Sequence, residues 1–304
     1  MSTSVSNPLS ALSKHVADAV EAAARSVVAV HGRGRLPSSG FVWRASVVVT
    51  ASDAVERDED IVVVTPDGRK LAATLAGRDP STDIAVLKID DSQLPTVAAA
   101  SSQDLRSGEL TLSVGRHADG PIGRLAVVAV AGGPWQSQRG GRIDRTIRLD
   151  RGIHPREEGG ALLDADGAFI GMTVPGPRRT ALAIPAETIE RVAAQLLARG
   201  RIARGYLGLG LHPVRLDEAL VQKLSLAERR GVIVVNVDPD GPGRAADMLI
   251  GDIIVSWNGE PLRMVREVFG RLGPEAVGQA IELGVVRGGE RLAVTLKIAE
   301  RPAS

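Results

Sequence analysis

Short runs of β-branched residues dominate the hydrophobic pattern between residues 26 and 185. Turn-forming residues separate these runs, as at Pro66-Asp67-Gly68, where Pro presets its φ and Gly accepts a positive φ. Apolar runs with turns at this rhythm predict short strands in an all-β barrel or sandwich. We expect strands at residues 26–31, 41–43, 46–50, 61–65, 71–75, 83–89, 110–114, 125–131 and 143–149, a hairpin over 162–174 and a last strand at 181–185.

Two helical patterns flank this strand-rich region. Asn7 and Pro8 resemble an N-cap followed by proline at the first helical position, and apolar residues then recur at helical spacing through about residue 24. This short amphipathic helix is expected to pack on its own domain or on a partner subunit. A second helix is predicted over residues 189–196, and Gly200 is expected to end it. The apolar positions of the first helix are Leu9, Leu12, Val16 and Val20.

The pattern becomes mixed after a stretch rich in Gly and Arg at residues 200–205, which is the predicted linker. Beyond it, strands are expected at 231–237 and 251–257, a helix at 264–272, and two closing strands on either side of Gly288-Gly289. We therefore predict three parts: an N-terminal helix at residues 1–24, an all-β domain at 25–200 and a mixed domain at 201–304.

Composition narrows the class of protein. The 304 residues fit two domains, and an aromatic content of 2% leaves Val, Leu, Ile and Ala to build the cores. The absence of cysteine excludes disulfides and thiol catalysis. A net charge of +1 provides no field that favours nucleic acid, and no apolar run approaches the roughly 18 residues that span a bilayer. The first residues lack the segments of a secretory signal, so we expect a cytoplasmic protein.

Four motifs carry a family resemblance. They are Thr50-Ala51-Ser52-Asp53-Ala54-Val55, the stretch from Asp79 to Leu87, the stretch from Ile153 to Leu163, and Tyr206-Leu207-Gly208-Leu209. In this order and at this spacing they resemble the HtrA (DegP-like) serine proteases. The resemblance covers the chain from about Ala24. It implies a mostly β fold, with a chymotrypsin-like double β-barrel at 25–200 followed by a PDZ α/β domain at 201–304, after the short N-terminal helix.

The resemblance also implies where the catalytic residues would lie. The family reaction uses a His base, an Asp that orients the His, and a nucleophilic Ser, in that chain order. The motifs place Asp53 at the His position, Asp83 at the Asp position and Glu158 at the Ser position. Arg156 stands where the family has the glycine of the oxyanion hole. The implied protein is a trypsin-like pseudoprotease without a working triad, and none of these four residues is expected to be catalytically active.

Three carboxylates in one cleft repel one another. The cleft is therefore expected to hold a proton, to pair with Arg156 or another arginine, or to bind a cation through oxygen ligands. We predict no metal site and no cofactor, although a carboxylate-based hydrolase remains an alternative. Asp83 is expected to serve as a hydrogen-bond acceptor for nearby backbone, and His154 is expected near the rim of the cleft.

The second domain keeps the implied peptide-binding elements. Tyr206, Leu207, Gly208 and Leu209 match the carboxylate-binding loop, whose backbone N–H groups hold a peptide C-terminus. The peptide would add as a strand beside residues 207–213, against the predicted helix that carries Val268 and Leu272. The alternative is a PDZ fold that only packs on the barrel.

Several hypotheses about function stay open at this point. The main one is a module that binds peptide or protein C-termini. The alternatives are an active endopeptidase whose triad lies elsewhere, the carboxylate-based hydrolase, and a regulatory subunit that forms a hetero-oligomer with an active relative; a homo-oligomer is also possible. No nucleic acid is expected, because the arginine run from Arg139 to Arg151 contains no aromatic residue for base stacking. That run is expected to be solvated, with an acidic protein partner as the alternative.

Overall fold

The structure is a computed structural model that describes residues 7–34, 36–117 and 119–302. Residues 1–6, on which the expectation about a secretory signal rested, lie outside the described residues, as do residues 303–304. The chain divides into two compact units. The first contains residues up to 137 together with 142–202, and the second contains 138–141 together with the chain from 203 onward.

The first six strands close into a β-barrel. They are β1 Val27–His31, β2 Ser38–Arg44, β3 Val47–Thr50, β4 Ile61–Val64, β5 Lys70–Asp79 and β6 Ile84–Ile89. The strand order around the barrel is β1-β2-β3-β6-β5-β4, and every described pair in it is antiparallel. Its interior is filled by small aliphatic side chains such as Val28, Val48 and Leu87, as expected for a chain with few aromatic residues.

Eight more strands complete the first unit. They are β7 Leu110–His117, β8 Gly120–Gly132, β9 Trp135–Gln136, β10 Arg142–Ile143, β11 Thr146–Gly152, β12 Ala161–Leu163, β13 Phe169–Pro175 and β14 Thr180–Pro185. Six of them close a second barrel in the order β11-β14-β13-β12-β7-β8, while β9 and β10 form a separate ribbon. The loop between β11 and β12 carries the predicted nucleophile position.

Two helices belong to the first unit, α1 Pro8–Ala24 and α2 Ala186–Arg199. The Asn7 side chain accepts a hydrogen bond from the Leu9 N–H at 3.1 Å, which caps the start of α1 as predicted. Gly200 ends α2 in the left-handed conformation, with φ of 72°. Val16 and Val20 pack against the core, but Leu9 and Leu12 are exposed. Within the described residues, no helix is long and apolar enough to cross a bilayer.

Three aromatic rings join the cores of the two barrels. The ring centroid of Phe41 on β2 lies 4.6 Å from that of Phe169 on β13, and the Trp43 centroid lies 5.7 Å from the same ring. Both phenylalanines are fully buried within one continuous apolar cluster. Three of the four aromatic residues of the first unit are thus concentrated at one place, where they hold β2 against β13.

The second unit is an open sheet with short helices. Its strands are β15 Gly205–Tyr206, β16 Leu209–Arg215, β17 Arg230–Val237, β18 Ile253–Trp257, β19 Glu260–Pro261, β20 Ala280–Arg287, β21 Glu290–Lys297 and β22 Ala299–Glu300. Its helices are α3 Glu218–Lys223, α4 Pro242–Ala245 and α5 Val265–Gly270. The main sheet runs β16-β17-β18-β20-β21, so β16 is an edge strand, and α5 lies beside it.

The predicted elements agree with this architecture, with differences at their ends. The mostly β class, the two barrels and the mixed C-terminal unit are confirmed. Strand β8 is longer than predicted because it continues through Gly120 and Pro121 into a hairpin with β7. Helix α5 is shorter than the predicted 264–272, since Met264 has extended backbone and Arg271 follows the last turn. The predicted edge strand 207–213 is shifted to 209–215 because Gly208 adopts a left-handed conformation.

Candidate functional site

The loop that follows β11 is held tightly against the first barrel. The Ser39 N–H donates to the Glu158 carbonyl at 2.9 Å, and the Gly159 N–H donates to the Thr173 carbonyl at 2.9 Å. Gly159 has φ of 80°, and a Cβ there would lie 2.3 Å from the Ser39 carbonyl oxygen. Only glycine fits this position, so the Gly-Gly motif is explained by a close approach of two backbones.

The Glu158 side chain is paired with an arginine from the opposite wall. Arg33, in the loop after β1, places its Nη2 2.5 Å from Glu158 Oε2. The Glu158 side chain is 6% exposed and that of Arg33 is 21% exposed, so the pair is largely shielded from water. The other Arg33 Nη donates to the Asp53 carbonyl at 3.1 Å. Arg33 therefore links two of the positions predicted for the triad.

The counter-ion of Glu158 is an arginine that the motifs did not single out. We expected the cleft to pair with Arg156 or with another arginine. Arg156 makes no ion pair with Glu158 in the described part of the chain, and the arginine that does so is Arg33. The described residues contain no group of three or more metal-ligating side chains placed to hold a cation. The position of Arg33 was not predictable from the motifs, because the loop after β1 contains no recognisable pattern around it.

Asp83 lies beside Asp53, as the alignment of motifs predicted. Its Oδ1 accepts a hydrogen bond from the Asp53 N–H at 3.0 Å. Burial raises the pKa of Asp83 to about 7, and the negative charges of Asp53 and Glu158 add to the increase, while hydrogen bonds from the backbone of Asp53 and Ser52 oppose it. The cleft therefore holds a proton on Asp83 below neutral pH. Asp53 itself is exposed at a short turn after β3.

No histidine takes the place of a catalytic base among the described residues. In the part of the chain that the structure describes, the hydrogen bonds to the Asp83 carboxylate come from backbone N–H groups and from no imidazole. His154 lies on the loop with Glu158, but it is exposed and its Nδ1 accepts the Arg156 N–H at 3.3 Å. The family resemblance predicted an oxyanion-hole donor at this N–H, and in the structure it is directed at a neighbouring side chain within its own loop.

A buried carboxylate next to Glu158, which no motif singled out, anchors the loop. Glu157 is fully buried, with Arg124 Nη1 at 2.8 Å from Oε2 and Arg151 Nη2 at 3.0 Å from Oε1. The Ser113 hydroxyl donates to Oε1 at 2.7 Å, and the His154 N–H donates to Oε2 at 2.8 Å. Arg151 belongs to the arginine run that was expected to be solvated. Its pairing with Glu157 corrects that expectation for this residue.

The pKa of Glu157 is shifted by opposing effects. Burial acts to raise the pKa, but the hydrogen bonds from Ser113 and from the His154 backbone, together with the charge of Arg151, outweigh burial and lower it. Glu157 is therefore a charged anchor at neutral pH. The signal available in the sequence was a glutamate two residues before Gly159, on a loop that follows an arginine run.

The predicted peptide-binding loop forms the start of the second unit. Tyr206 and Leu209 are partly exposed, and Gly208 has φ of 68°. Leu209 is the first residue of β16, where it pairs with Val237 of β17. Because β16 is an edge strand, its other edge is open. An open strand edge beside a helix is the arrangement in which an extended peptide adds as a further strand.

Three of the predicted groove side chains are buried, as is the backbone of Gly208. Leu207 is 3% exposed, Val268 is fully buried and Leu272 is 7% exposed, and all three belong to the hydrophobic core of the second unit. Val268 and Leu272 therefore support the helix from inside and do not form the open walls that we predicted. The physical reason is that α5 and the turn after it pack onto the apolar core of the second unit, which buries Val268 and Leu272 and leaves Phe269 exposed.

Comparison with known proteins gives two family matches. Residues 38–172 match the trypsin-like peptidase domain, and residues 205–298 match the PDZ domain. A solved HtrA-type protease with a decapeptide, AlgW, superposes with a TM-score of 0.73 at 26% identity, covering 95% of this chain and 99% of that one. The chain belongs to the HtrA-like family. The serine endoprotease from Yersinia pestis is also similar, with a TM-score of 0.71, 27% identity and coverage of 94% and 98%.

Curated proteins with similar amino-acid sequences agree with the HtrA-like assignment. A probable periplasmic serine endoprotease DegP-like from Halomonas elongata is 30% identical over 290 residues, which are 90% of this chain and 58% of the relative. The protein with the same name from Brucella suis is 31% identical over 281 residues, covering 90% and 54%. This HtrA-like chain thus spans somewhat more than half the length of the curated relatives it matches.

The names of these relatives contradict one prediction. They are periplasmic serine endoproteases by name, so the expected cytoplasmic location is wrong. That expectation rested on the first few residues, and the character of such a short stretch does not determine the compartment of an HtrA-like protein.

Proposed function

We propose that this HtrA-like chain is a serine protease homologue that does not cleave peptides and that binds peptide or protein C-termini through its PDZ domain. The observation that carries the first part is the ion pair between Glu158 and Arg33, at the position of the family's nucleophile. A carboxylate held by a guanidinium has no hydroxyl to attack a carbonyl carbon. Asp53, at the position of the base, offers no imidazole to accept a proton.

The state of the oxyanion site supports the same proposal. The Arg156 N–H donates to His154 Nδ1, and the Arg156 carbonyl accepts the Ser39 hydroxyl at 2.6 Å. Both backbone groups of Arg156 are therefore used within the first unit. A site that stabilises a developing oxyanion needs preorganised donors that point into the cleft.

Peptide binding is supported by the edge strand β16 and by the HtrA-type structures solved with peptides. We propose the 200–205 stretch as the joint between a protease-fold domain at 25–200 and a PDZ domain at 201–304. We also propose a periplasmic location, following the names of the relatives. A homo-oligomer, or a hetero-oligomer with an active relative, fits a homologue that regulates without cleaving.

A second candidate is an active serine endopeptidase, which the names of the relatives favour. A fluorophosphonate probe separates the two candidates, because it reacts only with an activated serine. The expected result is no labelling of the full chain and no cleavage of unfolded casein, with trypsin as the positive control. Labelling that a single Ser→Ala substitution abolishes, at Ser52 or elsewhere, would contradict the proposal and support the endopeptidase.

The binding half of the proposal has its own test. Decapeptides that end in Val, Leu or Ala are compared as free acids and as C-terminal amides by fluorescence anisotropy. The free acids should bind more tightly, because a terminal carboxylate makes charge-assisted hydrogen bonds to the loop N–H groups. Equal binding of both forms by the wild-type chain would reject recognition of C-termini.

A further inference from the structure

The loop at residues 206–209 rests on a second loop at residues 238–243. The Leu207 carbonyl accepts the Gly243 N–H at 2.7 Å, and the Gly208 carbonyl accepts the Asp238 N–H at 2.8 Å. A Cβ on Gly208 would lie 2.8 Å from the Cα of Gly241. The two loops therefore meet backbone to backbone, and the second loop fixes two successive peptide planes of the first.

These contacts set the direction of the N–H groups of Gly208 and Leu209. In a trans peptide unit the carbonyl and the following N–H point to opposite sides. Because the carbonyls of Leu207 and Gly208 point toward residues 238–243, the N–H groups of Gly208 and Leu209 point away from that loop. The bond from the Asp238 N–H to the Gly208 carbonyl also makes Leu209 and Val237 a non-hydrogen-bonded pair. The Leu209 N–H is thus directed to the open edge of β16.

Asp238 contacts the 206–209 loop through both its backbone and its side chain. Its backbone N–H binds the Gly208 carbonyl, and its Oδ2 accepts the Tyr206 hydroxyl at 2.6 Å. Its Oδ1 accepts the Asp240 N–H at 3.1 Å, which closes a turn within its own loop. The Arg301 guanidinium lies over the Tyr206 ring, 6.0 Å from the centroid. One side chain thus ties the first residue of the predicted carboxylate loop to the loop that orients its peptide planes.

We propose that Asp238 is a positioning residue of the carboxylate site: through Tyr206 and Gly208 it holds the N–H groups of Gly208 and Leu209 toward the terminal carboxylate of a bound peptide. Asp238 does not itself contact the ligand. This inference rests on the proposed recognition of C-termini. It adds a residue that lies outside the Tyr206-Leu207-Gly208-Leu209 motif and that no pattern around that motif indicates.

The test measures the ratio of amide to free-acid dissociation constants, which reports on the carboxylate contact alone. The full chain, Asp238→Ala and Tyr206→Phe are compared with decapeptides that end in Val, each as acid and amide. Tyr206→Phe deletes one hydroxyl and no backbone group, so it remains informative if Asp238→Ala does not fold. Asp240→Asn is the matched control, because it removes an exposed carboxylate from the same loop and leaves the bond between Tyr206 and Asp238 in place.

The expected ratio falls roughly fivefold in both Asp238→Ala and Tyr206→Phe, as for the loss of one hydrogen bond of ordinary net strength. Because both variants break the same bond, the double variant should lose little more than either one. Asp240→Asn should keep the wild-type ratio. If the variants weaken acid and amide equally, or leave both unchanged, Asp238 has no positioning role, although recognition of C-termini stands. A wild-type ratio near one would overturn the proposed function and this inference together.

Discussion

Arg33 and Glu158 form an ion pair across the cleft of the first unit, with 2.5 Å between Nη2 and Oε2. The two residues are 125 positions apart in the chain. The pair occupies the position where the family resemblance places a nucleophilic serine, and it is anchored further by the bond from Arg33 to the Asp53 carbonyl. The negative charge of the Glu158 carboxylate is therefore neutralised inside the cleft by the Arg33 guanidinium.

Removal of Arg33 should destabilise the protein. Arg33→Ala leaves the Glu158 carboxylate largely buried without its cation, and we expect a loss of about 2 kcal/mol in the free energy of unfolding. Urea unfolding at neutral pH measures this loss. Arg57→Ala is the matched control, since Arg57 is an exposed arginine nearby in the same barrel. An equal effect of the two substitutions would show that the ion pair adds no stability.

The stability of the protein should depend on pH through Asp83. Its pKa is raised from 3.8 to about 7, so the native state keeps a proton that the unfolded state releases. This contribution favours folding below pH ~4 and is lost as pH rises through about 7. Asp83→Asn keeps an acceptor for the Asp53 N–H and has no charge to bury. It should be more stable than the wild type at pH 8, by at least about 1 kcal/mol.

Urea unfolding at pH 4.5 and pH 8 checks this sign. The advantage of Asp83→Asn should shrink or vanish at the lower pH, where the wild-type carboxyl is already protonated in the native state. Glu59→Gln removes an exposed carboxylate and serves as the control. An advantage of the same size at both values would mean that the ionisation of Asp83 is not the cause.

Glu157 should be more important for stability than an exposed glutamate. Glu157→Ala leaves Arg124 and Arg151 without their shared anion, and we expect a loss of about 3–5 kcal/mol. Glu157→Gln should lose less, because its amide oxygen still accepts hydrogen bonds.

The lowered pKa of Glu157 means that its contribution to stability is present above pH ~4.5 and is lost as pH falls through the lower folded value. Thermal melts beside the exposed control Glu56→Ala measure the difference; comparable losses would contradict the buried network.

Gly159 and Gly167 form a matched pair for the close approach in the loop. Both have left-handed φ angles, 80° and 82°, so alanine costs about 1 kcal/mol at either site for the backbone alone. At Gly159 the new Cβ would also lie 2.3 Å from the Ser39 carbonyl, whereas Gly167 has open space. We expect Gly159→Ala to cost at least ~2 kcal/mol more than Gly167→Ala in denaturant unfolding. Equal costs would mean that the loop relaxes freely.

Leu209→Glu should weaken the binding of peptides with a free C-terminus. The substitution places a carboxylate at the start of the edge strand, where it repels the terminal carboxylate of the ligand. We expect at least a roughly tenfold increase in the dissociation constant. The control is Leu292→Glu, because Leu292 is an exposed leucine on β21 at the far edge of the same sheet. If both variants bind as tightly as the wild type, the peptide does not occupy the β16 edge.

Local patterns in the amino-acid sequence were enough to predict most elements of this fold. Runs of Val and Ile separated by turns predicted the strands, because side-chain alternation and turn chemistry act over a few neighbouring residues. The cap at Asn7 and the end of α2 at Gly200 were also local features, and the structure confirms both. The order of four motifs was enough for the HtrA-like family, and the two barrels and the PDZ domain then followed from the resemblance.

Which charges meet depends on contacts that form only in the folded protein. The pairs Arg33–Glu158, Arg124–Glu157 and Tyr206–Asp238 join residues that lie 125, 33 and 32 positions apart in the chain. A charged residue in a loop follows no periodic pattern, so its partner is set by how the barrels close and how the sheet places its turns. The same holds for Val268 and Leu272, whose apolar character was evident in the sequence, while their burial depended on how the core of the second unit packs.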